Sequence, residues 1–419
     1  MEVNELNLSP NTACTICSAN YFAYALTLAK SFRSVHPEAS FVILIVDAPN
    51  MAIDARARAE GISLLYVEQL GLPRLREMAF KFSVVEFNTN VKAAFLRILL
   101  AQGAQRALYI DPDIFLFQRL DEVYKYLETA NVAVTPHSLS PIGGVERPWD
   151  LDFLATGTFN LGFAGVSNTS QGLAFLDWWA ARCEQLGYSD TRAGLFTDQK
   201  FVDLAPCYFE GVHVLRNRGY NMAPWNLHER HLTESTEGLR VNGEELLVFY
   251  HFSGIDIEGA LEISKYMRKH TLETHPELKP LYAMYREQVL ANGHREFKQI
   301  RYAFSKYSNG EPITLLARRA FSIYEEEFAG QDPFNAQGRF IEFARRYKMI
   351  SASDSAARFN ALNTPGSDRR VQWINRALRW LLKLIGADKY TMLMKYLSYV
   401  SMLRHHRDVL DWKIERSAE

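Results

Sequence analysis

Between two fully apolar runs, Ala107-Leu-Tyr-Ile110 and Ile114-Phe-Leu-Phe117, the chain places Asp111-Pro112-Asp113. Each run reads as a buried strand, and Pro112 has no N–H to give to a central ladder. The chain must therefore bend or break between the two aspartates. Both carboxylates then sit at a strand end, where open α/β sheets gather their ligands. An Asp-x-Asp pair at such a point is an oxygen site suited to Mg2+ or Mn2+ carrying a diphosphate. The tripeptide equally allows a turn in which Asp bonds its own backbone.

The sequence around this break predicts an α/β fold. Thr12–Cys17 is a β-type run, Phe22–Ser34 carries Tyr24, Leu28 and Phe32 at helical spacing, and Phe41–Val46 is a second apolar strand. Such a βαβ unit implies a parallel sheet covered on both faces. Further helices are expected over 51–60, 90–102, 120–128 and 173–186, and strands over 63–67, 132–136, 212–215 and 246–251. The loop 138–148 is long enough for a mobile lid, and 159–166 holds small residues that let backbone pass close to a ligand. Beyond 255 only helical stretches remain, over 278–293, 315–328 and 339–346. The expected organisation is a mostly parallel, helix-flanked sheet domain over 1–255, a helical accessory region over 256–365 and a tail over 366–419.

At 419 residues the chain exceeds one ordinary core. A net charge of −1 argues against a nucleic-acid binder, but the tail from Gly366 holds eleven Lys/Arg against six Asp/Glu. Within it Arg369, Gln372, Arg376, Arg379 and Lys383 line one helix face, with Ile374, Leu378, Leu381, Leu382 and Ile385 largely opposite. This basic amphipathic helix either packs on its own protein or lies on a membrane surface. The four cysteines form no disulfide framework, and Cys14-Thr-Ile-Cys17 lies inside an apolar run, which argues against redox work. Met1–Pro10 shows no secretion signal, and no run reaches the length of a membrane span. A cytoplasmic protein, with possible contact at the inner face of the membrane, is expected.

Four groups of residues follow one another in a telling order. Ser18-Ala-Asn20-Tyr21 comes after the first strand; Arg97 precedes Asp111-Pro-Asp113; Phe159-Asn160-Leu-Gly162 is followed by Asp198-Gln199; and His251-Phe-Ser-Gly254 closes the last strand. This set resembles the GT-A-fold glycosyltransferases, in particular glycosyltransferase family 8, the galactosyltransferase and glycogenin family, and its bacterial relatives in surface-polysaccharide synthesis. The resemblance covers roughly residues 12 to 255 and implies a GT-A, Rossmann-like domain. It further implies a metal held by Asp111, Asp113 and His251, where the imidazole favours Mn2+ over Mg2+. Ile16, Ser18, Asn20 and Tyr21 would hold the nucleotide, Lys92 and Arg97 the donor phosphates, and Asn160, Asp198 and Gln199 the reacting end of the sugar. The implied donor is a nucleotide-diphosphate sugar, UDP-linked rather than GDP-linked, and the implied acceptor a glycan or lipid-linked glycan, with anomeric retention. The segment 219–230, rich in aromatic and amide side chains, falls to the acceptor side.

Two departures stand out. Many relatives carry an acidic residue before Asn-Tyr, where this chain has Ser18-Ala19. Position 257, where the family places a lysine, is Ile, so the phosphate-neutralising cation falls to Lys265, Lys92 or Arg97. Each residue also has a plainer role open to it: His251 hydrogen-bonded at a strand end, Asn160 bracing a turn, Asp198 capping a helix, Tyr21 and Trp225 as core aromatics, Arg97 as a solvated helix residue. Two rival functions share these residues, a nucleotidyltransferase or sugar-nucleotide phosphatase, and a non-catalytic glycan-binding protein on the same fold. The first lacks the Gly-rich, basic phosphate loop it would need after strand one.

Overall fold

The computed structural model describes residues 6–143, 150–259, 262–267, 269–350 and 369–410. The connector 352–368 and most of the second half of the 138–148 loop lie outside them. The chain forms two compact units, one of Met1–Met78 with Val84–Ala303 and the other of Ala79–Ser83 with Phe304–Glu419.

The first unit is built on a seven-stranded sheet. Its strands are β1 (Asn11–Cys17), β2 (Ser40–Ile45), β3 (Ser63–Tyr66), β4 (Arg106–Ile110), β6 (Val132–Pro136), β7 (Phe159–Ser167) and β10 (Val212–Val214). They lie in the order β10-β6-β7-β4-β1-β2-β3. Every pairing is parallel except those of β7, which runs antiparallel between β4 and β6. The sheet is therefore mostly parallel, as the apolar runs predict, with one reversal near its middle. All nine residues of β7 are buried, as befits a strand covered on both faces.

The remaining strands form smaller ribbons. β5 (Ile114–Leu116) leaves the main sheet after Pro112 and pairs antiparallel with β14 (Phe249–His251). β8 (Ser189–Asp190) pairs with β9 (Leu195–Phe196). β11 (Leu232–Ser235), β12 (Gly238–Val241) and β13 (Glu245–Leu246) make a three-stranded meander. The single strand expected over 246–251 is thus two strands in two sheets, because Leu247 and Val248 turn inward between them and bond to the Leu239 and Gly219 carbonyls at 2.8 Å each.

Helix termini follow local chemistry. Asn50 accepts from the N–H groups of Ala52 and Ile53 to start the helix Met51–Glu60, and Gly61, at φ 63°, ends it. Helices Leu75–Lys81, Val84–Asn90 and Asp150–Thr156 go beyond what the spacing predicts. The helix Lys279–Ala291, expected in a separate accessory region, belongs to the first unit. There Tyr285 stacks on Phe252 at 3.8 Å and Tyr282 meets Tyr250 edge-on at 5.7 Å, which ties it to the ribbon that carries His251.

In the second unit Phe80 meets Phe321, Phe334 and Phe340 edge-on at 5.0 to 5.4 Å. The Arg318 guanidinium donates to the carbonyls of Ala79, Phe80, Phe82 and Phe304. The helix expected over 315–328 ends at Ile323, with a tighter 3-10 turn over Glu325–Phe328. The tail helix Arg369–Val400 contains no buried residue and is broken at Gly386, whose φ of 79° no helix accommodates. Trp373, Trp380 and Leu384 share one of its faces and are 70, 64 and 63 % exposed. Among the described residues no helix is long and apolar enough to cross a membrane.

Candidate metal centre

The strand break seen in the sequence is what builds the centre. At the end of β4 the Asp111 N–H still bonds the Gly162 carbonyl of β7, at 2.7 Å. Pro112 then stops the ladder and Ile114 opens the second ribbon, in register with His251. The Asp113 carbonyl accepts from the Phe252 N–H at 2.8 Å, and the Met222 carbonyl accepts from that of His251 at 2.8 Å. Two ladders thus meet at one point and bring three side chains together that lie 140 residues apart at the extremes.

His251 Nε2 lies 3.1 Å from Asp113 Oδ1 and 3.7 Å from Asp111 Oδ2. One ligand atom from each of the three groups falls within 4.8 Å of the others, a spacing that can hold a divalent ion. The Tyr109 hydroxyl donates to Asp111 Oδ1 at 2.6 Å and so leaves Oδ2 facing the histidine. A β-carbon at position 162 would lie 2.5 Å from His251 Cε1, 2.7 Å from Asp111 Oδ2 and 2.9 Å from Asn160 Oδ1. Only glycine lets these groups converge.

The electrostatics fit a cation. Burial lifts the Asp111 carboxyl above the ordinary range, against the pull of Lys92 and His251. Burial alone would lower His251, but Asp113 and then Asp111 outweigh it and leave the imidazole raised. Two carboxylates and one imidazole form a mixed oxygen and nitrogen donor set of the kind Mn2+ accepts. The Asp111 and Asp113 side chains keep 27 and 20 % of their exposure, so the centre opens to solvent.

The loop after β1 reaches the same end of the sheet. Ser18 donates to Asn20 Oδ1 at 2.7 Å, and the Ala19 N–H bonds Asp47, which also accepts from the N–H groups of Ala48 and Ala303. Tyr21 is half exposed and stacks on Tyr24 at 4.8 Å. Its phenol is pushed up to about 12 by burial first and then by the charge of Asp113 and by Tyr266. Ile16 is buried within β1. Gly254, at φ 72°, turns the chain beneath Ser264 and Tyr266, and its carbonyl accepts from the Lys265 N–H at 2.9 Å.

Lys92 and Asp198 are joined to each other. Lys92 Nζ lies 2.7 Å from Asp198 Oδ2 and 2.7 Å from the Leu161 carbonyl, and 4.1 Å from the Tyr109 ring centre; both side chains are 2 % exposed. Asp198 does not cap the short helix Gln199–Val202 with its side chain. Gln199 is bonded to backbone at both ends, accepting from Leu161 N–H at 3.0 Å and donating to the Thr156 carbonyl at 2.8 Å. Arg97 pairs with Asp177 at 3.2 Å on a surface of the helix Lys92–Ala101.

Sequence reasoning passes over His137. It stands one residue beyond β6, buried, with Phe153 stacked on it at 5.2 Å and Trp225 edge-on at 5.4 Å. Its Nε2 faces Asn160 Nδ2 at 3.4 Å. A histidine directly after an apolar strand, at the same sheet edge as Asp111, is the one signal that could have found it. Backbone strain marks the area as well: Thr197, beside Asp198, and Asn221, next to Met222, adopt φ of 49° and 58°.

No family model matches the chain. It is similar to the uncharacterized protein YfnD of Bacillus subtilis, 25 % identical over 304 residues, which cover 71 % of this chain and 93 % of YfnD. The uncharacterized protein YfnF of the same organism is 24 % identical over 271 residues, 64 % of this chain and 89 % of that one. Among solved structures, the glycosyltransferase GlyE of Streptococcus pneumoniae aligns over 74 % of each chain at 13 % identity and a TM-score of 0.39. The galactosyltransferase LgtC, in complex with donor and acceptor sugar analogues, aligns over 51 % of this chain and 76 % of its own at 19 % identity and a TM-score of 0.37. Likeness at these scores assigns neither chemistry nor residues to this chain.

Proposed function

We propose that this chain is a metal-dependent glycosyltransferase of the GT-A type, which moves a sugar from a nucleotide-diphosphate donor to a glycan or lipid-linked glycan with retention of configuration. The observation that carries the proposal is the convergence of Asp111, Asp113 and His251 on Gly162 at the carboxyl end of β4. There the three side chains would hold Mn2+, and the ion when bound supplies Lewis acidity to the leaving diphosphate. Tyr109 orients Asp111, and the Tyr21–Tyr24 pair offers a face on which a nucleobase, uracil by preference, can stack.

Of the three candidate cations for the phosphates, Lys92 is tied to Asp198 and Arg97 to Asp177. Lys265, held against the Gly254 turn beside Tyr266, is the one we assign to them. Asp198 and Gln199 then act from the wall of the site, with Lys92 fixing the carboxylate beside Leu161.

Calorimetric titration of the protein with UDP and with GDP, each with Mn2+, tests the proposal. Binding should appear with one of them and vanish in the Asp111→Ala/Asp113→Ala double variant; no binding, or binding indifferent to the substitutions, sinks it. Release of pyrophosphate from a nucleoside triphosphate and a sugar phosphate, or of free sugar phosphate from the donor, would point to the rival enzyme classes instead. The exposed basic face and tryptophans of Arg369–Val400 support a further part of the proposal, contact with the anionic inner face of a membrane. Replacing Arg376, Arg379 and Lys383 with Glu should lower co-sedimentation with anionic liposomes, and an unchanged bound fraction would remove the membrane from the picture.

A further inference from the structure

Beside the metal centre lies a second polar group that nothing among the described residues satisfies. His137 Nδ1, Asn160 Oδ1, Asn221 Oδ1 and Trp225 Nε1 are buried and have no hydrogen-bond partner among the described residues. All four residues are at most 7 % exposed. Buried polar atoms are nearly always paired, and each left bare costs about 1–3 kcal/mol. Four together are partners in waiting.

Their positions are linked. Asn160 reaches toward His137 at 3.4 Å, the Trp225 ring is 5.4 Å from His137 and 5.0 Å from His251, and Asn226 ties the His137 and Asn221 carbonyls together through its amide, at 3.1 and 2.8 Å. Asn160 also meets Asp111 and His251 at the Gly162 position. The set therefore borders the metal ligands and lies deeper than the two aspartates. A group bonded to a metal-held diphosphate is the one that would enter it.

Its chemistry is selective. Two amides, an indole N–H and an imidazole offer both donors and acceptors, which matches hydroxyl groups, themselves both donor and acceptor. The ring faces of Trp225 and Phe153 supply apolar walls. None of the four side chains carries a charge at neutral pH, since burial pushes His137 down to about 4, with the Thr158 and Gly157 carbonyls only partly offsetting it. Lys92, the buried cation that bonds the Leu161 carbonyl, is held by Asp198. A carboxylate placed here would lose its water, and the adjoining His251 imidazole already faces Asp111 and Asp113.

We infer that His137, Asn160, Asn221 and Trp225 form the subsite for the donor's sugar ring and select an uncharged sugar over a uronate. This rests on the transferase proposal and draws Asn221 and Trp225 away from the acceptor side. Calorimetry of the full chain with Mn2+ tests it, using UDP-glucose against UDP-glucuronate, UDP-galactose against UDP-galacturonate, and GDP-mannose against GDP-mannuronate, with UDP and GDP alone as controls. At least one neutral sugar should bind about tenfold or more tighter than its uronate. That gap should shrink in His137→Phe and in Trp225→Phe, where binding of the bare nucleotide reports that each variant is folded. Equal affinity within every pair, or a gap untouched in both folded variants, overturns the subsite while leaving the transferase proposal standing. Failure of every nucleotide to bind overturns both.

Discussion

Two carboxylate sites lie side by side at the carboxyl end of the sheet, and they are finished to different degrees. Asp198 is matched by Lys92, and the neighbouring Gln199 is matched by two backbone groups. Among the described residues, Asp111 and Asp113 have only a histidine and a tyrosine hydroxyl as side-chain partners, keep access to solvent, and border four bare polar atoms. The first site is completed by the chain itself. The second is left to be completed by something that binds, and the contrast separates a charge balanced within the chain from one that a ligand completes.

The contrast is most exposed to test at Lys92. Lys92→Ala strands Asp198 in the core and should cost about 3–5 kcal/mol in urea unfolding. Lys92→Met with Asp198→Leu should recover most of that loss, and failure to recover would show that the pair holds more than itself. At the metal centre the order is reversed. Asp111→Ala or Asp113→Ala should weaken Mn2+-dependent nucleotide binding by at least about 100-fold, near 2.7 kcal/mol, with the melting temperature level or higher because facing carboxylates are removed. A fall in melting temperature like that of Lys92→Ala would erase the distinction.

His137 sharpens it in pH. The folded state keeps this imidazole neutral down to about 4, whereas the unfolded chain protonates it near 6.5. The unfolded state therefore binds the extra proton first, and stability falls as pH drops through that window. Between pH 6.5 and 5 the loss from this group should be about 1.5 kcal/mol. His137→Asn should flatten the slope of unfolding free energy against pH, and an unchanged slope would show that the ring is already charged or solvated. The smallest effect belongs to Arg97, whose pairing with Asp177 is at the surface. Arg97→Ala should change stability by no more than about 0.5 kcal/mol and leave nucleotide affinity alone; a clear loss of affinity would return it to the donor site.

What the sequence disclosed followed from strong local rules. A proline between apolar runs can only break a strand, so the bend at Asp111-Pro112-Asp113 is legible in the residues themselves, while β2 and β4 announce themselves as apolar stretches and β1 and β6 as runs rich in β-branched residues. β7 does not, because Gly162 and Gly165 dilute the β-forming residues of Phe159–Ser167 and nothing local records that it runs backwards. The hairpin β11–β12 is short and polar, and 246–251 reads as continuous because both of its halves are apolar. Within the site, the metal trio is legible as residue types in order. The Lys92–Asp198 pair is not, since a bond across 106 positions leaves no periodic trace.

The grip of Arg318 on the carbonyls of Ala79, Phe80 and Phe82 bears on how the protein is made. The ribosome delivers residues 79–83 long before it delivers their partner. At typical synthesis rates the delay is on the order of tens of seconds. Through that interval a short piece in the middle of the nascent first unit has to wait, its backbone in water and Phe80 without the rings it later meets. The first unit folds from a chain interrupted by five residues that are promised to a later part of the protein, and a chaperone that shields one exposed phenylalanine during elongation would find its substrate here.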